Sequence, residues 1–242
     1  MKHFPNRVSK GFTLVELLVV MTIIGILMSL AASVLRDPGT GRTLDSGVDL
    51  LTNLIEEARV TAQGNDTYTR LVIANDPSDT SQKSKHLRFM VVQMYRKTGN
   101  SNDGTSMQVN GEWVSTSAGV MLPPGVFFSP TYSRPLSWAD GSGSRIGTDT
   151  ARLTKNKRVR VFYLEFDEKG RYVAPSSSPT SPSQPQRLVL INARQGKGSK
   201  SDDGIIPLQT DSQRRPIGAK GIVLWPSGYT SDLRTREQIF SR

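Results

Sequence analysis

The chain has 242 residues, with 31 Lys and Arg against 21 Asp and Glu, a formal charge of +10, two His and no Cys. The lack of Cys excludes disulfides, a thiol nucleophile and Cys-ligated zinc, so an exported domain must be held by packing alone. The positive balance permits anionic partners, but the basic residues fall along the chain in ones and twos and read mostly as a solvated surface.

The first eleven residues, Met1 to Gly11, are polar and carry Lys2, Arg7 and Lys10 without an acid. Phe12 to Leu35 follows, 24 residues in which Glu16 alone is ionisable. At about 1.5 Å of rise per residue this is a helix of roughly 36 Å, enough to cross a hydrocarbon core of about 30 Å. A carboxylate at the bilayer centre costs about 2.5 to 3.5 kcal/mol and somewhat less near an interface, so Glu16 points to a partner or a task. The three basic residues before the span favour a cytoplasmic N-terminus, which places everything after Leu35 on the far side of the membrane.

The pattern Gly11-Phe12-Thr13-Leu14-Val15-Glu16, followed by about twenty apolar residues, resembles the class III signal of type IV pilins and type II secretion pseudopilins. The resemblance implies that a prepilin peptidase cuts between Gly11 and Phe12 and methylates the new amine of Phe12. It also implies that Glu16 faces the Phe12 amine of a neighbouring subunit as the apolar helices stack into a filament core. A buried carboxylate relieved by an ammonium is physically coherent in a low-dielectric core. The alternative is an uncleaved signal anchor in which Glu16 snorkels to the interface. Gly25, Ser29, Ala31, Ala32 and Ser33 supply the small residues that close helix contacts need.

Residues 36–43 hold Pro38, Gly39 and Gly41, which disfavour a continuous helix and predict a linker or kink. Leu44, Val48, Leu51, Ile55, Ala58 and Ala62 then recur at helical spacing, predicting an amphipathic helix over 44–63 that ends near Gly64-Asn65. From Tyr68 the pattern turns to strands: Tyr68 to Ala74, Leu87 to Arg96, Met107 to Val114 as a hairpin, Gly125 to Ser129, Val159 to Phe166, Arg171 to Ala174, Arg187 to Ala193 and Gly221 to Trp225. In Phe162 to Phe166 the apolar rings and Leu164 share one face and Glu165 the other. Asn110-Gly111 and Asp167-Glu168-Lys169-Gly170 are hairpin turn signals. Polar loops are expected at Asp76 to Lys85, Thr98 to Ser106, Tyr132 to Lys157 and Pro175 to Gln186.

A search for chemistry yields little. His86 reads as a surface residue, no Gly-x-Ser-x-Gly elbow is present, and Gly196-Lys197 and Gly141-Ser142-Gly143 fail the phosphate-loop and dinucleotide patterns. Asn102-Asp103-Gly104 and Asp202-Asp203-Gly204 offer oxygen ligands that calcium accepts, but neither is followed by the Glu that closes an EF-hand, so Asn102, Asp103, Asp202 and Asp203 are weak metal candidates. No cofactor and no catalytic residue is expected.

The helix ending Glu57-Ala58-Arg59-Val60-Thr61-Ala62, the pair Val72-Ile73 and the hairpin at Phe166 to Gly170 are similar to the heads of H-type minor pseudopilins and related minor pilins. The expected fold is therefore α+β and pilin-like: a leader at 1–11, a transmembrane assembly helix at 12–35, a linker at 36–43, and a head at 44–242 with its helix on an antiparallel sheet. What the resemblance implies is a structural subunit of a secretion pseudopilus, single-pass in the inner membrane, with its head periplasmic. Its partners would be prepilin peptidase, other pilin-type subunits and a secreted substrate. The second expectation is a minor type IV pilin whose basic head binds DNA or an exported substrate, which a steep salt dependence would reveal.

Overall fold

The computed structural model describes residues 14–35, 40–77, 83–97, 111–136, 146–154, 157–175, 184–196, 204–233 and 235–240. The chain divides into two compact units, Met1–Thr40 and Gly41–Arg242.

The first unit contains helix α1, Leu14–Leu35. Among the residues described with side chains, which in α1 are 14–28, no helix is long and apolar enough to cross a membrane.

Helix α2, Thr40–Asn65, belongs to the second unit from Gly41 onward. It is longer at both ends than the 44–63 that apolar spacing defines, because its first turn is polar and carries no stripe residue to mark it. Residues 36–39, where the break is expected, lie outside the described residues. At the other end the helix runs through Gly64 and stops where Asp66 takes a left-handed φ of 47°. The Thr67 N–H closes that turn on the Ala62 carbonyl at 3.2 Å.

Two antiparallel sheets follow. The first is ordered β3-β2-β1-β7-β6, with β4 beside β2 and β8 beside β7. Its strands are β1 (Thr69–Ala74), β2 (Phe89–Lys97), β3 (Gly111–Ser115), β4 (Val120–Met121), β6 (Gly147–Thr154), β7 (Lys157–Phe166) and β8 (Tyr172–Val173). The second is ordered β10-β9-β11-β12, with β5 beside β9. It is built from β5 (Val126–Phe128), β9 (Gln186–Gln195), β10 (Ile205–Pro207), β11 (Ala219–Leu224) and β12 (Thr230–Leu233). A short helix α3, Arg236–Phe240, buries Ile239 and Phe240.

The head expected as a helix on one sheet is thus a helix on two. The second sheet centres on β9, whose first eight residues are all buried, as a strand covered on both faces requires. Strand β6 lies where a polar loop is expected. Its residues Thr148, Asp149, Thr150 and Arg152 mask the alternation, and pairing with β7 rather than local hydrophobicity defines it. The expected hairpin partner of β2 appears as β3, while Met107 to Asn110 fall outside the described residues.

The buried stripe of α2, Leu44, Leu51, Leu54, Ile55, Ala58 and Ala62, shares one core with Leu71 and Leu164 of the first sheet and Leu188, Leu190 and Ile222 of the second. A Cβ at Gly47 would meet Val126 and Leu190 at 3.1 and 3.2 Å, so this helix turn lies directly on the second sheet. Farther along, the Thr69 hydroxyl donates to the Ala58 carbonyl at 2.7 Å, fixing α2 to the first sheet.

A clasp completes the arrangement. Gly228, at φ 85°, sits in the β11–β12 turn, where an added Cβ would overlap the Gly170 carbonyl oxygen of the β7–β8 turn. Above it Arg59 lies 4.4 Å over the Tyr229 ring, and Gln63 Nε2 donates to the Lys169 carbonyl at 3.0 Å. Gly228→Ala is expected to destabilise the head by roughly 1–3 kcal/mol, through both the left-handed backbone and the overlap, as read by chemical denaturation. Ile55→Ala, which empties a fully buried core position, should cost about 2–5 kcal/mol in the same experiment.

Candidate functional site

Of the expected processing and assembly residues, Gly11 and Phe12 lie outside the described residues. Glu16 stands in the first turn of α1, where the positive end of the helix dipole favours a carboxylate. Around and beyond it the helix is apolar on every side. Twelve Leu, Val, Ile and Met side chains between Leu14 and Met28 are exposed, from 42 % at Ile24 to 82 % at Leu14. A helix apolar all round is stable in a protein core or in lipid and not in water.

Residues 6–32 match the family model of the prokaryotic N-terminal methylation motif. The motif supports the type IV pilin and pseudopilin class. It indicates a pilin-like chain that a prepilin peptidase processes and that assembles with other pilin subunits. No curated protein and no solved structure matches the chain.

Asn102, Asp103, Asp202 and Asp203 lie outside the described residues. Among the described residues no group of three His, Asp or Glu is placed to hold a metal ion. His86, expected at the surface, is instead buried at 3 % exposure. It follows the 3-10 turn Lys83–Lys85 and precedes Leu87, whose φ of 55° turns the chain inward, and the position a Gly204 Cβ would take lies 3.7 Å from its Nε2.

Among the described residues, the most developed polar cluster of the head lies on the face of the first sheet opposite α2. Arg70, on the central strand, is 3 % exposed. Its Nε donates to Gln93 Oε1 at 2.9 Å and its Nη1 to Asp149 Oδ2 at 2.8 Å. The guanidinium lies 4.3 Å over the Trp113 ring and 5.8 Å from that of Tyr163. Burial pushes the Asp149 carboxyl up, but the hydrogen bonds from Arg70 and the Thr150 N–H outweigh it and hold the group below the usual range. Glu165, directly across from Arg70 in register, goes the other way. Burial raises its carboxyl, the Arg70 charge opposes this, and the Asp149 charge adds to it.

Sequence reasoning placed Arg70 in a strand and Glu165 on a polar face, but not their union. The available signal was an Arg immediately before the apolar run Leu71-Val72-Ile73, within the expected strand Tyr68 to Ala74. The cluster has the composition of a structural pin: one buried cation satisfied by one carboxylate, one amide and two rings. Because the folded-state pKa of Glu165 is raised, folding favours its neutral form, and its contribution to stability falls as pH rises through the carboxylate range. Glu165→Gln is therefore expected to raise the unfolding midpoint at pH 7. The gain should vanish below about pH 4, where both side chains are neutral. Urea denaturation of the two chains at both pH values checks this.

Proposed function

We propose that the chain is a minor pseudopilin of a type II secretion pseudopilus, a structural subunit without catalytic activity. The observation that carries this reading is the methylation motif at 6–32, most of which lies in α1 with its exposed apolar side chains from Leu14 to Met28. In the proposed mechanism residues 12–35 cross the inner membrane once with the N-terminus cytoplasmic and the head periplasmic. The 24-residue length and the leader charges Lys2, Arg7 and Lys10 support that orientation. Prepilin peptidase cuts between Gly11 and Phe12 and methylates the Phe12 amine.

The same helix then serves two environments. In the membrane its apolar surface faces lipid, and in the filament it packs against neighbouring helices. Lipid and packed side chains are similarly apolar, so moving between them demands little desolvation. Glu16 is the exception, because a carboxylate among apolar helices needs a cation. The methylated amine of an adjacent Phe12 supplies one, which sets the axial register between subunits. The minor-subunit assignment rests on the likeness of the helix ending in Glu57 to Ala62 and of the Phe166 to Gly170 hairpin to the H-type heads.

Intact mass and N-terminal sequencing of the membrane-extracted protein should show a chain starting at methylated Phe12. A chain retaining Met1 would leave a plain signal anchor in its place. Glu16→Ala should be cleaved and inserted normally yet be lost from the sheared filament fraction, and its normal recovery there would remove the role given to Glu16.

A further inference from the structure

The connection between β10 and β11 forms a small hairpin of its own that the head does not bury. The Ile217 N–H donates to the Gln209 carbonyl at 3.0 Å, Thr210 pairs with Pro216, and the Asp211 N–H donates to the Arg215 carbonyl at 2.9 Å to close the turn. Leu208 on one arm is 52 % exposed and Ile217 on the other 49 %. Single exposed apolar side chains are common, but these two flank a turn rich in base. Arg214 in the turn is exposed, and so is Arg194 on β9, which pairs with Ile206 at the foot of the hairpin. Among the described residues neither forms an ion pair.

Two features set this hairpin apart from ordinary solvated surface. Arg214 holds a left-handed φ of 60°, a conformation that Gly or Asn fills at lower cost, and no contact of its side chain among the described residues offsets that cost. Backbone held this way at an exposed turn is characteristic of recognition sites. The acids close by are meanwhile neutralised within the head, Asp211 by Arg236 and Asp45 by Lys220. Arg215 lies 5.8 Å over the Phe240 ring and has no carboxylate partner among the described residues. The local balance is therefore positive.

Its place in the head says what it can meet. Strand β11 runs alongside α2 from near the start of the helix to near its end: Lys220 is bridged to Asp45, whereas Gly228, just past the strand, lies under Arg59. The hairpin precedes Ala219, so it stands at the end of the head that the chain enters at Gly41, six residues after Leu35. At about 3.5 Å per residue those six reach roughly 20 Å, a tether that keeps this end near any bilayer holding residues 12–35. We infer that the hairpin docks on the anionic phospholipid surface of that bilayer, and the inference rests on the membrane-span reading above. Guanidinium groups match phosphate headgroups, and Leu208 and Ile217 fit the boundary between headgroups and acyl chains. Attachment of this kind is reversible and weakens with salt, because two or three basic groups and two apolar side chains form a small anchor. It gives the unassembled subunit a resting position that entry into a filament must give up.

Because the chain has no Cys, Gln213→Cys puts a single thiol in the exposed turn for an environment-sensitive fluorophore, and Ser227→Cys does the same at the other end of β11. The full-length chain is reconstituted into vesicles of phosphatidylcholine alone or mixed with phosphatidylglycerol. The label at 213 should brighten at least about twofold in the mixed vesicles only, with the label at 227 unchanged in both. Adding Arg194→Glu and Arg214→Glu should lower the docked fraction at least about fivefold. Adding Leu208→Ser and Ile217→Ser instead should do the same. All four residues are exposed, so the protease resistance of the head should not change.

Carbonate extraction of the same vesicles is measured alongside. A silent label at 213 on a chain that resists extraction would overturn the docking and leave the span standing, whereas a chain stripped by carbonate would overturn both. Equal brightening in both kinds of vesicle, or as much at 227 as at 213, would overturn the anionic surface as the ligand. So would brightening by a short duplex DNA with none by vesicles, which would assign the arginines to nucleic acid.

Discussion

Small side chains on α2 let it settle close enough to the first sheet for the Thr69 hydroxyl to reach the Ala58 carbonyl, and the rest of the head follows from that approach. Ala58 and Ala62 are wholly buried on the helix turns over β1, while Gly47 plays the same part over β5 and β9. One helix can thus lie against both sheets, because bulk is removed wherever a strand passes beneath it. Larger side chains, Leu44, Leu51, Leu54 and Ile55, fill the wedge that remains. The clasp of Gly170 and Gly228 works by the same economy of volume, bringing one turn from each sheet together under Arg59.

Charge is arranged differently in the interior and on the surface. Inside the first sheet the buried guanidinium of Arg70 is held by a carboxylate, an amide and an aromatic face, so its desolvation is offset on several sides. On the surface the aspartates at the turns act locally. Asp167 Oδ1 accepts the Lys169 and Arg171 N–H groups, and Asp211 Oδ1 accepts those of Gln213 and Arg215. These are backbone-fixing carboxylates, which explains how a chain so rich in base keeps its hairpin turns well defined.

Much of this was legible in the amino-acid order where the signal is local. The stripe from Leu44 to Ala62, the apolar strands around β1, β2, β7 and β9 and the Asp167–Gly170 turn each follow from spacing and side-chain type. What escaped is what depends on distant residues. Strand β6 is polar and exists because β7 pairs with it, and β10 and β12 are short edge strands with the same dependence. The division into two sheets is likewise invisible locally, since a β-strand does not announce its partner. His86 looked solvated beside Lys85 and Arg88, yet it is buried, next to Leu87 with its left-handed φ. At the N-terminus the motif could be read in full, because recognition by a peptidase requires a contiguous signal.

The topology of the first sheet has a consequence for the order in which the head can form. Strand β1 is buried at all six positions and lies between β2 and β7. Its neighbour β2 follows closely in the chain, but Leu71 meets Leu164 only after roughly ninety further residues, a contact of high sequence separation and correspondingly slow closure. β5 waits similarly for β9. A nascent head delivered from its N-terminal end therefore presents the open, apolar edge of β1 until residues near Phe166 arrive. The interval most exposed to mispairing is set by connectivity, and a more stable native state would not shorten it.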